Sequence, residues 1–132
     1  MYNQNKFFRH YREVDDTKWQ FTYFKPIELA SKGDETLLLD VDAVSKLDKL
    51  RWLLNKPINL NSAYRDPLHN FNVGGSPNSQ HLLGTAFDIR LDNHDKYELV
   101  KYAKQVGFTG FGYYKTFLHV DTGRERWWGE KW

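Results

Sequence analysis

Two histidines and two aspartates stand where their surroundings make them costly. His81 closes a polar loop, Asp88 lies within an apolar run, and His119 and Asp121 belong to Phe117-Leu118-His119-Val120-Asp121. A carboxylate on an apolar strand is expensive unless it is paired or bound to a metal. Gly84 lies between His81 and Asp88 and permits a turn that a residue with a Cβ resists. The chain can therefore fold back and bring those two side chains to one point. On a strand, His119 and Asp121 share a face, with Cα atoms about 6.5–7 Å apart. Two imidazoles and one carboxylate form a three-ligand zinc set with a position left for water, the arrangement of a catalytic site. A further carboxylate near that water can act as general base. Plainer readings exist for each residue alone. His81 can be a hydrogen-bonding loop residue, Asp88 can cap a turn or pair with Arg65 or Arg90, and His119 with Asp121 can be a polar pair. Their joint occurrence beside glycine-rich turns is what points to a metal.

The elements that must position these residues follow from periodicity. Phe24-Lys25-Pro26-Ile27-Glu28-Leu29-Ala30 predicts a short helix with Pro in its first turn. Ala43, Leu47, Leu50 and Leu54 form one stripe of a helix over about residues 42–55, capped by Asp40 or Asp42. Ile58 and Leu60 alternate with Asn59 and Asn61, a short half-buried strand. Residues 64–80 hold Pro67, Gly74, Gly75 and Pro77 and read as a long ordered loop. From Thr85 to Leu91 the alternation turns Ala86, Asp88 and Arg90 to one side and Phe87, Ile89 and Leu91 to the other. A second long helix starts at Asp92 or Asn93 and stops at Gly107. Phe111–Tyr114 and Phe117–Thr122 read as strands joined by a tight turn at Lys115. The pattern is α+β, a small antiparallel sheet flanked by helices.

The chain has 132 residues, a length that suits one domain, with residues 1–20 as an N-terminal arm holding a short strand or helix. Charged residues are 27% and net charge is only +2, spread among both signs, so no concentrated basic face argues for nucleic acid. Cysteine is absent, which excludes disulfides and thiolate ligands and leaves His and carboxylate to hold any metal. No apolar run approaches the ~20 residues of a membrane span, and the first residues lack the apolar core of a signal peptide. Aromatic residues reach 17%. The ending Trp127-Trp128-Gly129-Glu130-Lys131-Trp132 reads either as cover for the core or as a docking patch that stacks on glycan.

The string Ser79-x-His81-x-x-Gly84-x-Ala86-x-Asp88 resembles the signature of the M15 metallopeptidases, which include zinc D-alanyl-D-alanine carboxypeptidases and related cell-wall peptidases. Its flanks match in order: Ser62-x-Tyr64-Arg65, Asn70-x-x-Val73-Gly74-Gly75, Gly107-Phe108-x-Gly110-x-Gly112-x-Tyr114, Phe117-x-His119-x-Asp121-x-Gly123, and Arg126-Trp127. The resemblance covers roughly residues 24–128. It implies a hedgehog/DD-peptidase-like fold, zinc held by His81, Asp88 and His119, and Arg65 as a substrate-binding arginine. Ser79 and Tyr114 are further candidates for substrate contact, with Tyr113 the alternative hydroxyl donor. One departure stands out. Many relatives carry an acidic or imidazole base shortly before the last ligand, whereas here Lys115, Thr116, Phe117 and Leu118 precede His119. Asp121 is the remaining nearby carboxylate and the candidate general base, the alternative being a group that orients His119 or Arg65; Arg65 is the second catalytic candidate, stabilising the oxyanion or clamping a substrate carboxylate.

The resemblance thus implies zinc-dependent hydrolysis of peptide bonds in peptidoglycan stem peptides or cross-links, with a metal-activated water as nucleophile. A monomer acting on the cell wall is expected. A bare domain without a signal peptide suits a bacteriophage lysis enzyme or virion-associated hydrolase, and a periplasmic or extracellular host enzyme otherwise. The rival is a non-catalytic, zinc-containing peptidoglycan-binding or virion structural domain.

Overall fold

The computed structural model describes all 132 residues. Seven strands and four α-helices run in the order β1 (Lys6–Phe8), α1 (Pro26–Leu29), β2 (Leu37–Leu39), α2 (Val41–Leu54), β3 (Leu60–Ser62), α3 (Pro67–Asn72), β4 (Ala86–Arg90), α4 (Lys96–Val106), β5 (Gly110–Tyr113), β6 (Phe117–Asp121) and β7 (Arg126–Gly129). The fold is α+β. The main sheet has the order β3-β4-β6-β5-β7; all its pairs are antiparallel except β5 with β7, which is parallel. β1 and β2 form a separate antiparallel ribbon. No helix is long and apolar enough to cross a membrane.

Alternation along the strands divides the main sheet into two chemically different faces. Phe87 and Ile89 of β4, Leu118 and Val120 of β6, and Phe111 and Tyr113 of β5 join the core. Burying a side chain of this size is worth about 1.5–3 kcal/mol relative to leaving it in water. Leu47 and Leu50 of α2 and Leu99 and Ala103 of α4 meet them in the same cluster. The opposite face carries Asp88, His119 and Asp121, with glycine at both corresponding positions of β5. Register brings Asp88 directly opposite His119 across the β4–β6 pair.

Helix ends follow their caps. Asp40, of the two candidates, caps α2 by accepting from the Ala43 N–H at 2.9 Å. α4 begins later than the sequence predicts. Asp95 accepts from the N–H groups of Tyr97 and Glu98, while Asp92 is drawn off to Arg90 and Asn93 to the Pro57 carbonyl. The expected loop over 64–80 contains α3 and leads into a short 3-10 turn, Gln80–Leu83. Asp66 caps α3 by accepting from the His69 N–H at 3.1 Å, and Pro67 occupies its first turn, a start signal that the nearby Gly and Ser residues obscured. Residues 1–20 supply β1, a 3-10 turn at Tyr11–Glu13, and the buried side chains of Phe8 and Val14. β7 has no counterpart among the predicted elements.

Candidate metal centre

Three elements deliver the converging side chains. Asp88 and His119 come from adjacent strands. His81 comes from the 3-10 turn, which Ser79 caps by accepting the His81 N–H at 3.1 Å. Gly84 ends that turn at φ +72°, and a Cβ there would strike the Leu38 carbonyl of β2. Glycine is therefore required twice over, for its backbone angle and for the close passage of another strand. All three side chains are buried, with exposures of 2% for His81, 5% for Asp88 and 7% for His119, and one donor atom from each lies within 4.8 Å of the others.

Hydrogen bonding settles which ring nitrogens face the centre. His81 Nδ1 lies 2.6 Å from the Ala63 carbonyl, which can only accept, so Nδ1 carries the hydrogen. His119 Nε2 donates to Asp121 Oδ2 at 2.7 Å. In the neutral rings the lone pairs are then on His81 Nε2 and His119 Nδ1. These two atoms lie 3.1 and 3.0 Å from the same oxygen, Asp88 Oδ1. Two lone pairs and a carboxylate oxygen meeting at one buried point require a cation between them or protons on the rings. The donor set fits Zn2+, which takes imidazole nitrogen and carboxylate oxygen and leaves a position open with three protein ligands. The backing of each imidazole by a hydrogen-bond acceptor on its far nitrogen is the arrangement that orients metal-bound histidines.

The charges around the centre are matched. Asp88 Oδ2 accepts from Arg65 Nη2 at 3.3 Å, so Arg65, of the two arginines considered, is its partner. Arg65 also donates to Ser62 Oγ and Asn70 Oδ1. With no metal bound and hydrogens on the facing ring nitrogens, burial disfavours the charged form of Asp88, but hydrogen bonds from His119 and His81 outweigh it and hold the carboxyl well below the usual carboxylate range. Asp121 is fully buried. Burial opposes its charge too, and the bonds from His119 and Arg126 again prevail and lower its pKa. For His119, burial opposes protonation and the two facing carboxylates more than offset it, raising the pKa of the ring when no metal is bound.

The centre opens into a cleft of about 870 Å³ lined by Arg65, Ser79, Tyr114, Arg124, Arg126 and Trp128 among others. Three of these are arginines, and the sole carboxylate in the lining is Asp88. Tyr114 borders the cleft and its hydroxyl accepts from Trp128 Nε1 at 2.8 Å, whereas Tyr113 is buried in the core. Asp121 stands behind His119, with Oδ1 accepting from Gly123 N and Arg126 and Oδ2 from His119 and Arg126. The Trp-rich ending divides its roles: Trp128 packs on His119, Trp132 packs on Tyr113, and Trp127 is half exposed. Sequence reasoning gave no role in the site to Asn70, Arg124, Arg126 or Trp128. The signal for Arg126 was its place in the basic-aromatic ending, but without β7 there was no reason to aim it at the centre.

The family model described as peptidase M15 matches residues 14–121. The chain belongs to the peptidase M15 family. It is also 36% identical over 89 residues to the zinc D-Ala-D-Ala carboxypeptidase of Streptomyces albus G, an alignment covering 63% of this chain and 35% of that protein. The chain thus spans about a third of that relative's length. Membership in the M15 family accords with the centre that β4, β6 and the 3-10 turn assemble, since the matched region contains all three candidate ligands.

Proposed function

We propose that this protein is a zinc metallopeptidase that hydrolyses peptide bonds in bacterial peptidoglycan, in stem peptides or cross-links. The observation that carries the reading is the aim of two imidazole lone pairs at one oxygen of a buried carboxylate. His81 Nε2, His119 Nδ1 and Asp88 Oδ1 are the atoms that would hold the ion. A zinc ion there supplies a Lewis acid and makes water acidic enough to serve as a nucleophile near neutral pH. The protein's own groups do the rest. Arg65 is fixed by three acceptors, and its remaining N–H groups suit a substrate carboxylate or a developing oxyanion. Arg124 and Arg126 add positive charge to the same cleft, which favours an anionic peptide end. Tyr114 accepts from Trp128 and keeps its own hydroxyl hydrogen to donate. Of the two roles open to Asp121, its place behind His119 favours orientation of the imidazole over proton abstraction.

The cleft's lack of a carboxylate other than Asp88 favours one second reading, a zinc-containing domain that binds wall peptide without cutting it. Mass spectrometry of purified muropeptides incubated with the protein separates the two. Hydrolysis is expected with zinc and is expected to vanish with chelator and in His81→Ala. Intact muropeptides in the presence of stoichiometric zinc would leave the binding reading standing. The position of the cut distinguishes carboxypeptidase from endopeptidase action.

A further inference from the structure

β5 carries glycine at both positions that face the centre. Gly110 lies in register between Asp121 of β6 and Arg126 of β7, and Gly112 lies between His119 and Trp128. With no side chain on the middle strand, groups on β7 reach across it. Arg126 Nη1 and Nη2 donate to Asp121 Oδ1 and Oδ2, each at 2.8 Å. The Trp128 ring lies against His119 with centroids 4.9 Å apart. A Cβ on Gly110 would collide with both Arg126 and Asp121, and one on Gly112 would come within 2.7 Å of the Trp128 ring.

We propose that Arg126 is a positioning residue for metal binding, gripping Asp121 across the Gly110 gap so that His119 keeps its Nδ1 lone pair aimed at Asp88. The inference rests on the metal reading above. Apart from Arg126, Asp121 has the His119 imidazole on Oδ2 and the Gly123 N–H on Oδ1, and neither brings a full counter-charge to this fully buried carboxylate. The two-pronged guanidinium bond supplies that charge and adds a second donor to each oxygen, which tightens the carboxylate plane. Arg126 is itself held. Nη1 also donates to the Arg124 carbonyl at 2.9 Å, and its Cζ lies 5.0 Å from the centroid of the Trp128 ring. One arginine thus governs the edge of His119 through Asp121 and supports the ring that covers its face.

The test is zinc affinity of the full chain, measured by competition with a chromophoric chelator, beside thermal unfolding of the zinc-free protein. Arg126→Gln is expected to weaken zinc about tenfold, the lower end of what loss of an outer hydrogen-bonding partner costs, while cooperative unfolding is kept. Arg126→Lys keeps the charge without the fork and is expected to recover only part of the loss. In an Asp121→Asn background, Arg126→Gln is expected to lose most of its effect, because both changes act through one link. Unchanged affinity in Arg126→Gln, or an undiminished loss in the Asp121→Asn background, overturns the proposal. If Arg126→Gln does not fold, Arg126→Lys decides: a several-fold loss supports the fork and wild-type affinity overturns it. A wild-type chain that takes up no zinc sinks the metal reading and this inference with it, whereas a zinc-binding wild type matched by Arg126→Gln sinks this inference alone.

Discussion

His81 and His119 aim one nitrogen each at the same oxygen, yet the fold backs them by different means. His81 rides on a single 3-10 turn, and its far nitrogen donates to a backbone carbonyl, that of Ala63. His119 sits within β6, and its far nitrogen donates to a carboxylate that Arg126 holds in turn. The first support is neutral, made by the main chain and out of reach of side-chain substitution. The second is charged, made by side chains from two strands, and a stronger electron donor to the ring. One candidate ligand is anchored by chain path, the other by electrostatics.

That contrast predicts unequal sensitivity. The largest effect belongs to Asp121→Asn, expected to lower zinc affinity about 10–100-fold, since it weakens the acceptor behind His119. Chelator competition measures it, and an affinity equal to wild type would erase the distinction between the two supports. Ser79→Ala strikes the other side. It removes the cap of the turn that carries His81 and is expected to cost about 1 kcal/mol of stability. The Ala63 carbonyl still orients the ring, so the change in zinc affinity is expected to be smaller than in Asp121→Asn. Denaturant unfolding with parallel zinc titration reads both quantities.

The smallest effect is in the acid and base limits of the chelator-treated protein. Asp88 and Asp121 have lowered native pKa values, so the stability they contribute is present above their unfolded pKa and is lost as pH falls through the native ones. His119 has a raised native pKa, so its contribution is full below the unfolded value and is lost as pH rises through the native one. The cluster is therefore expected to stabilise the zinc-free chain most between about pH 4 and about pH 6.5, the range set by unfolded Asp and His. Asp121→Asn is expected to flatten the profile on both sides. Urea unfolding across a pH series checks it.

The candidate ligands were legible partly because their cost showed in the sequence and partly because the string around His81 and Asp88 resembles a known signature. Asp88 interrupts an apolar strand, and His119 alternates with Leu118 and Val120, so the faces of β4 and β6 could be assigned before any coordinates. The helical stripe of α2 was equally plain. What escaped notice depended on contacts remote in sequence. α3 is only six residues long, and its Asp66-Pro67 start lay among glycines and serines that speak for a loop. β7 pairs parallel with β5 through main-chain bonds that leave no periodic mark in Arg126-Trp127-Trp128-Gly129. Gly112 falls within the predicted strand Phe111–Tyr114 and Gly110 just ahead of it, with nothing in the sequence to say what either makes room for. They are gaps in a strand, and only the register of β7 shows what passes through them.

The turn bearing His81 closes at Gly84 against the carbonyl of Leu38, and Leu38 pairs with Phe7 in the opening ribbon. The beginning of the chain is thus a buttress for an imidazole more than seventy positions downstream. Changes made far from the cleft, in a segment with no chemistry of its own, have a mechanical route to the place where the ion would rest.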